Sequence, residues 1–172
     1  MNPVHEEIYK NHIIRIEADG DTESPEHWDD DCYLCLNLPR HVTIREKECD
    51  EIIENGGKKP GFWVFKVYGY IHSGISLNFG GPRDAWDSGL AGVMVANKSE
   101  FKSRDHAKKQ AKFQLDSWNQ WLNGDVYQFV ILTTERCAHC NHVAESVLES
   151  CGGIYGLEDT VRAAKEQVDS LV

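Results

Sequence analysis

The stretch FWVFKVYGYIH, residues 62–72, constrains the fold more than any other in the chain. In an extended segment successive side chains point to opposite faces, so Trp63, Phe65, Val67 and Ile71 share one face and Phe62, Val64, Tyr68 and Tyr70 the other. Both faces are apolar. A strand with one wet face would alternate apolar with polar residues; this one predicts a central strand covered on both sides.

The neighbouring segments supply the rest of a sheet. HIIRIEA (12–18) and CYLCLNL (32–38) read as earlier strands, the second stopped by Pro39. ISLNF (75–79) pairs back through a tight turn at Ser73-Gly74, and GLAGVMVA (89–96) is a strand whose glycines admit a close neighbour. Residues 41–61 are polar, are assigned no element and end in the turn NGGKKPG. A helix is predicted from Ser99, its cap, with Ala107, Ala111, Leu115, Trp118 and Leu122 as the apolar stripe and Lys108, Lys109 and Lys112 in solvent. Asn123-Gly124 ends it. VYQFVILTT (126–134) and VAESVLE form a hairpin across the turn RCAHCNH, and a last helix runs from about Asp159 with Val161, Ala164, Val168 and Leu171 on one face. The expected fold is α+β, one domain over residues 1–172, with an antiparallel or mixed sheet of about five to seven strands packed by two main helices.

Composition narrows the function. No apolar run approaches the roughly 20 residues of a membrane span. The N-terminus MNPVHEEIYKNH lacks the basic start and apolar core of a secretion signal. Six cysteines are too sparse for a disulfide framework, so a reducing cytoplasm is expected, with thiols buried or holding metal. The net charge is −10, from 28 acidic and 18 basic residues, which argues against direct binding to duplex nucleic acid. Eight acids fall between residues 17 and 31 with no Lys or Arg among them: Glu17, Asp19, Asp21, Glu23, Glu26, Asp29, Asp30 and Asp31. They read as a solvated loop, as a cation site (though the calcium-loop pattern is missing), or as a surface for a basic protein partner.

Two constellations could carry chemistry. Cys32-x-x-Cys35 and Cys137-x-x-Cys140 together have the composition of a zinc site. Cys32 and Cys35, three apart in a strand, point to opposite faces and read as small buried hydrophobes. Cys137 and Cys140 sit at a hairpin tip, where two thiolates can converge on one zinc ion, with His142 as a further ligand and His139 nearby. The second constellation is a thiol triad: Cys151 as nucleophile, His72 as base and Asp87 orienting the imidazole, with Ser73 or Ser88 able to replace the thiol. No G-x-S-x-G pattern supports a serine hydrolase, and His, Ser and Asp at turns commonly bond the backbone instead. The segment HSGISLNFGGPRDAWDSG (72–89) thus reads as a turn, a strand and a glycine-rich loop anchored by Trp86.

Three motifs carry a resemblance. Tyr70-Ile71-His72-Ser73-Gly74-Ile75, Trp86-Asp87-Ser88-Gly89-Leu90-Ala91-Gly92 and Ser150-Cys151-Gly152-Gly153-Ile154-Tyr155-Gly156, with the Ser24 to Asp29 stretch, resemble an uncharacterised family of small proteins found mostly in bacteriophages and mobile elements. Many members have a cysteine just before W-D-S-G, where this chain has Arg83, Asp84 and Ala85; that departure argues against a catalytic thiol in the loop. The resemblance implies a phage origin and the host cytoplasm, and it supplies no activity. With the acidity, it leads to the expectation of an accessory protein that binds and inhibits a host defence protein (of the anti-CRISPR or anti-restriction kind) or a nucleic-acid-processing protein, by imitating DNA charge. The alternative is a small thiol- or metal-dependent hydrolase using His72, Asp87 and Cys151. A third is a structural or regulatory phage protein that dimerises through an exposed strand edge.

Overall fold

The computed structural model describes residues 3–28, 31–84 and 86–171, apart from the side chain of His27. The fold is α+β, as the pattern predicts, and every strand pair is antiparallel. The strands divide between two sheets, and the chain forms two compact units: residues 24–123, and residues 1–23 together with 124–172. Among the described residues no helix is long and apolar enough to cross a membrane.

In the unit spanning 24–123 the chain-order elements are β3 (Cys32–Leu38), β4 (Val42–Ile44), α1 (Glu46–Glu54), β5 (Phe62–Ile71), β6 (Ile75–Asn78), β7 (Ser88–Asn97) and α2 (Arg104–Leu122). The sheet order is β4-β3-β7-β5-β6. Each face of the sheet is covered, as the two apolar faces of residues 62–71 require. Phe65 and Val67 join Leu34, Leu36 and Met94 beneath Ala107, Ala111, Leu115 and Trp118 of α2. Phe62 and Val64 pack with Tyr33, Val93 and Val95 against Cys49 and Ile52 of α1. Cys32 and Cys35 fall in these two separate clusters, fully buried on opposite faces, as their spacing predicts.

Two local features were read differently in the sequence. Residues 46–54 form α1, whose buried side chains are only Cys49 and Ile52, too few to stand out in a charged segment. The second long helix starts at Arg104, not near Ser99. Ser103 is its cap, accepting from the His106 amide at 3.2 Å, while Ser99 bonds Asn97 and Glu100 in the preceding turn.

Central β7 shows why a glycine stands at 92. A Cβ there would lie 2.1 Å from the Cys35 carbonyl oxygen, backbone against backbone, beside the irregularity where β7 shifts register against β5. At the sheet margin α2 takes the place of a further strand. Asn119 accepts from the Leu77 amide at 2.6 Å and donates to the Leu77 carbonyl at 3.0 Å; Asn123 does the same to Ile75 at 3.2 and 2.7 Å. One turn apart on the helix, the two amides satisfy the outer edge of β6.

The other unit contains β1 (His5–Tyr9), β2 (His12–Ala18), β8 (Val126–Arg136), β9 (Val143–Tyr155) and α3 (Leu157–Leu171), with sheet order β1-β2-β8-β9. Ile14, Ile16, Phe129 and Ile131 pack beneath Ala164 and Val168 of α3. The sheet therefore joins the first strands of the chain to its last hairpin. β9 is an edge strand, exposed from Val143 through Gly153.

Candidate functional site

The residues singled out for catalysis do not all meet. Nδ1 of His72 lies 3.6 Å from Oδ2 of Asp87, and Tyr70 stacks on the imidazole. Both members of this pair are exposed, so their mutual attraction is weakened by solvent. Cys151 belongs to the other unit, on β9, where it lines a depression of about 520 Å3 between β9 and α3 and its thiol donates to the adjacent Gly152 carbonyl. Ser88 and Asp84 of the loop hold backbone. Ser88 Oγ accepts from the Arg83 and Asp84 amides, and Asp84 Oδ1 accepts from those of Trp86 and Asp87. Trp86 does not anchor this loop: it is 93% exposed, held out by the turn that Asp84 closes.

The acidic run is divided between the two units after Glu23. Asp29 and Asp30 lie outside the described residues. Asp19 serves the fold: one carboxylate oxygen accepts from the Gly153 amide at 2.8 Å, the other from the Asp21 amide. The same carboxylate would sit 2.6 Å from a Cβ at Gly152, which accounts for a side-chain-free residue there. Glu17 accepts from Gln128, and Glu26 stands 4.0 Å from Arg45 Nε. Asp21 and Glu23 are exposed. Asp31 begins the segment into β3, its carbonyl accepting from the Asn97 amide.

At the β8–β9 tip Cys137 and Cys140 are exposed free thiols in one turn. The amides of His139 and then Cys140, together with the Cys140 thiol, hydrogen-bond Cys137 Sγ and hold that thiol below its ordinary range. His142 stands opposite, its carbonyl accepting from the Cys137 amide at 2.8 Å. Among the described residues no three His, Cys, Asp or Glu side chains come together as a metal-ligand group.

A further candidate site was not singled out in the sequence. β6 pairs only with Tyr68–Ile71, so among the described residues the first half of β5 has β7 on one side and no strand on the other. Two depressions of about 630 and 350 Å3 open along this bare edge, and a third, of about 760 Å3, adjoins them between Phe79 and the start of α2. The first two share Gly57, Val64 and Arg104; the second and third share Phe79 and Lys108. The turn after α1 forms one wall and the start of α2 the other.

This groove is basic. Residues 55–69 and 98–112 hold nine lysines and arginines against two acids, Glu100 and Asp105. Lys59 is committed inward, bound to Glu48 and to Tyr33 Oη. Burial works against the charge on Glu48, yet Lys59 and Tyr33 together still hold its carboxyl below the usual range. Lys112 pairs with Asp116. Lys58, Lys66, Lys98, Arg104, Lys108 and Lys109 line the groove without a carboxylate partner among the described residues. Aromatic side chains lie between them: Trp63 and Phe79 are half-buried in the walls, and the Arg104 guanidinium lies 5.6 Å from the Phe65 ring centroid. Comparison with protein-family models, curated proteins and solved structures finds no match to this chain.

Proposed function

We propose that the protein binds single-stranded nucleic acid along the basic groove of the 24–123 unit. The observation that carries this reading is the row of six cations, none with a carboxylate partner among the described residues, that lines three adjoining depressions together with Trp63, Tyr68 and Phe79. Cations track a phosphate backbone, and aromatic walls accept bases of any identity at about 1–3 kcal/mol per stacked base. The net charge of −10 speaks against wrapping a duplex and does not bear on this face, because the charge is segregated. Residues 1–23 and 124–172 carry 14 acids and 5 bases; residues 24–123 carry 14 and 13.

The test is fluorescence anisotropy with a labelled oligothymidine and with a duplex of equal length. If about five phosphates are neutralised, affinity falls as about the 3.5 power of salt, or roughly 100-fold between about 50 and 200 mM. Lys66→Glu/Lys108→Glu abolishes binding, and Trp63→Ala weakens it at every salt concentration. No binding at low salt, or wild-type binding by the double variant, overturns the reading.

The acidic unit favours a second reading. Its net charge of −9 suits a basic protein surface, and the resemblance to phage proteins makes a host defence or nucleic-acid-processing protein the natural partner. Asp21→Asn/Glu23→Gln tests it: capture of a purified host nuclease by the wild type alone supports this reading, and equal or absent capture removes it.

A further inference from the structure

Two backbone hydrogen bonds close the turn that joins β8 to β9. The Cys137 amide donates to the His142 carbonyl at 2.8 Å, and the Asn141 amide donates to the Cys137 carbonyl at 3.0 Å. Asn141 takes the left-handed conformation at φ 58°, which folds the chain back just after the second thiol. Within this turn the His139 and Cys140 amides and the Cys140 thiol favour the thiolate form of Cys137. Amide donors on the first sulfur and a second sulfur beside it are what a Cys-x-x-Cys turn needs to grip one soft, tetrahedral ion by two corners. Both thiols are exposed and neither is in a disulfide.

Zinc in such a site takes four ligands, and no third candidate joins these two among the described residues. The turn is half a site, at the outer end of a hairpin. We propose that Cys137 and Cys140 bind zinc together with the same two residues of a second copy, so that one ion bridges two hairpin tips as a tetrathiolate. A two-fold axis through the metal makes the two halves identical, which is the usual symmetry of a homodimer. Each thiol loses one proton as its sulfur–zinc bond forms, so four protons are released per ion and no electrons move. The tetrathiolate centre carries two negative charges, and Arg136, next to Cys137 in each chain, supplies an opposing charge.

The experiment uses the full chain kept reduced, with zinc titrated in while mass is followed by light scattering and metal content by elemental analysis. The expected result is one zinc per two chains, a mass that doubles with zinc and halves with chelator, and the absorption of tetrahedral cobalt thiolate when cobalt replaces zinc. Cys137→Ser and Cys140→Ser, at exposed positions, stay monomeric and metal-free, while Cys151→Ser behaves as the wild type. One zinc per monomer, no retained zinc, or a dimer that survives the chelator overturns the proposal. Failure leaves the groove reading untouched, since its anisotropy assay needs no zinc.

Discussion

The helix that stands in for a strand makes a sharp prediction. Asn119→Ala removes the acceptor for the Leu77 amide and the donor to the Leu77 carbonyl, at 2.6 and 3.0 Å. Leu77 is 3% exposed, so water reaches those two groups poorly. Each backbone group left without a partner costs about 1–3 kcal/mol, the lower end applying where water can enter. Alanine returns about 0.5 kcal/mol through its better helix propensity. Two such groups cost about 2–6 kcal/mol, so the net cost is about 1.5–5.5 kcal/mol. Asn123→Ala costs less, about 1 kcal/mol, because its bonds to Ile75 are exposed.

All five tryptophans lie within residues 24–123, so tryptophan fluorescence reports the unfolding of that unit alone. In urea, where the slope is about 1–3 kcal/mol per molar, the Asn119→Ala midpoint should fall by at least about 0.5 M with the slope unchanged. The Leu77 amide should exchange with solvent at least tenfold faster. A midpoint shift below about 0.3 M, or unchanged Leu77 exchange, would refute the claim that these side chains complete the sheet.

Two further outcomes follow from the packing. Gly92→Ala, whose Cβ would meet the Cys35 carbonyl oxygen at 2.1 Å, should cost more than about 3 kcal/mol in the same titration, whereas Gly89→Ala, with nothing within 4 Å, should stay within about 0.5 kcal/mol. Burial pushes the thiols of Cys35 and Cys49 up to about 12 and about 11, so native protein near pH 8 should give three reactive thiols (Cys137, Cys140 and Cys151) and six in urea. Because those folded-state values are raised, the stability linked to them is fully present below the ordinary thiol range of about 8.5 and is lost as pH rises through it toward 11 and 12. Native labelling of more than three thiols would contradict the burial.

What was legible in the sequence had a strong local cause. β2, β3, β5, β7 and β8 announce themselves by apolar runs, and the stripe of α2 by its spacing. α1 does not, since two buried side chains in EKECDEIIE leave little periodicity. β1, HEEIY, is an edge strand with alternate residues exposed, and its charged residues leave no apolar run to mark it. The helix start was displaced because Phe101 packs on the α2-side core, edge-on to His106, and so holds the preceding residues in a turn. The division into two sheets was hidden for a different reason. It depends on β2 pairing with β8 across more than a hundred residues, and no local pattern encodes that choice.

The candidate sites divide along the same line. The Cys-x-x-Cys tip and the His72–Asp87 pair are close in sequence or joined by one hairpin and loop, so their proximity could be read. The groove required knowing that residues 55–69 and 98–112 face each other across the part of β5 that β6 leaves bare. Summed charge concealed it further, by averaging a unit of −9 with one of −1, whose helix α1 alone holds five acids against one lysine. Lysines at a bare strand edge also keep other chains from pairing there. That protective role accounts for a charge such as Lys66 on the strand itself, and glutamate would serve it equally well. It does not account for unpaired cations on two flanking segments, all of one sign, around half-buried aromatic side chains. Lys66→Glu therefore separates the two roles: edge protection predicts unchanged solubility and no other effect, whereas the groove predicts that oligonucleotide affinity falls.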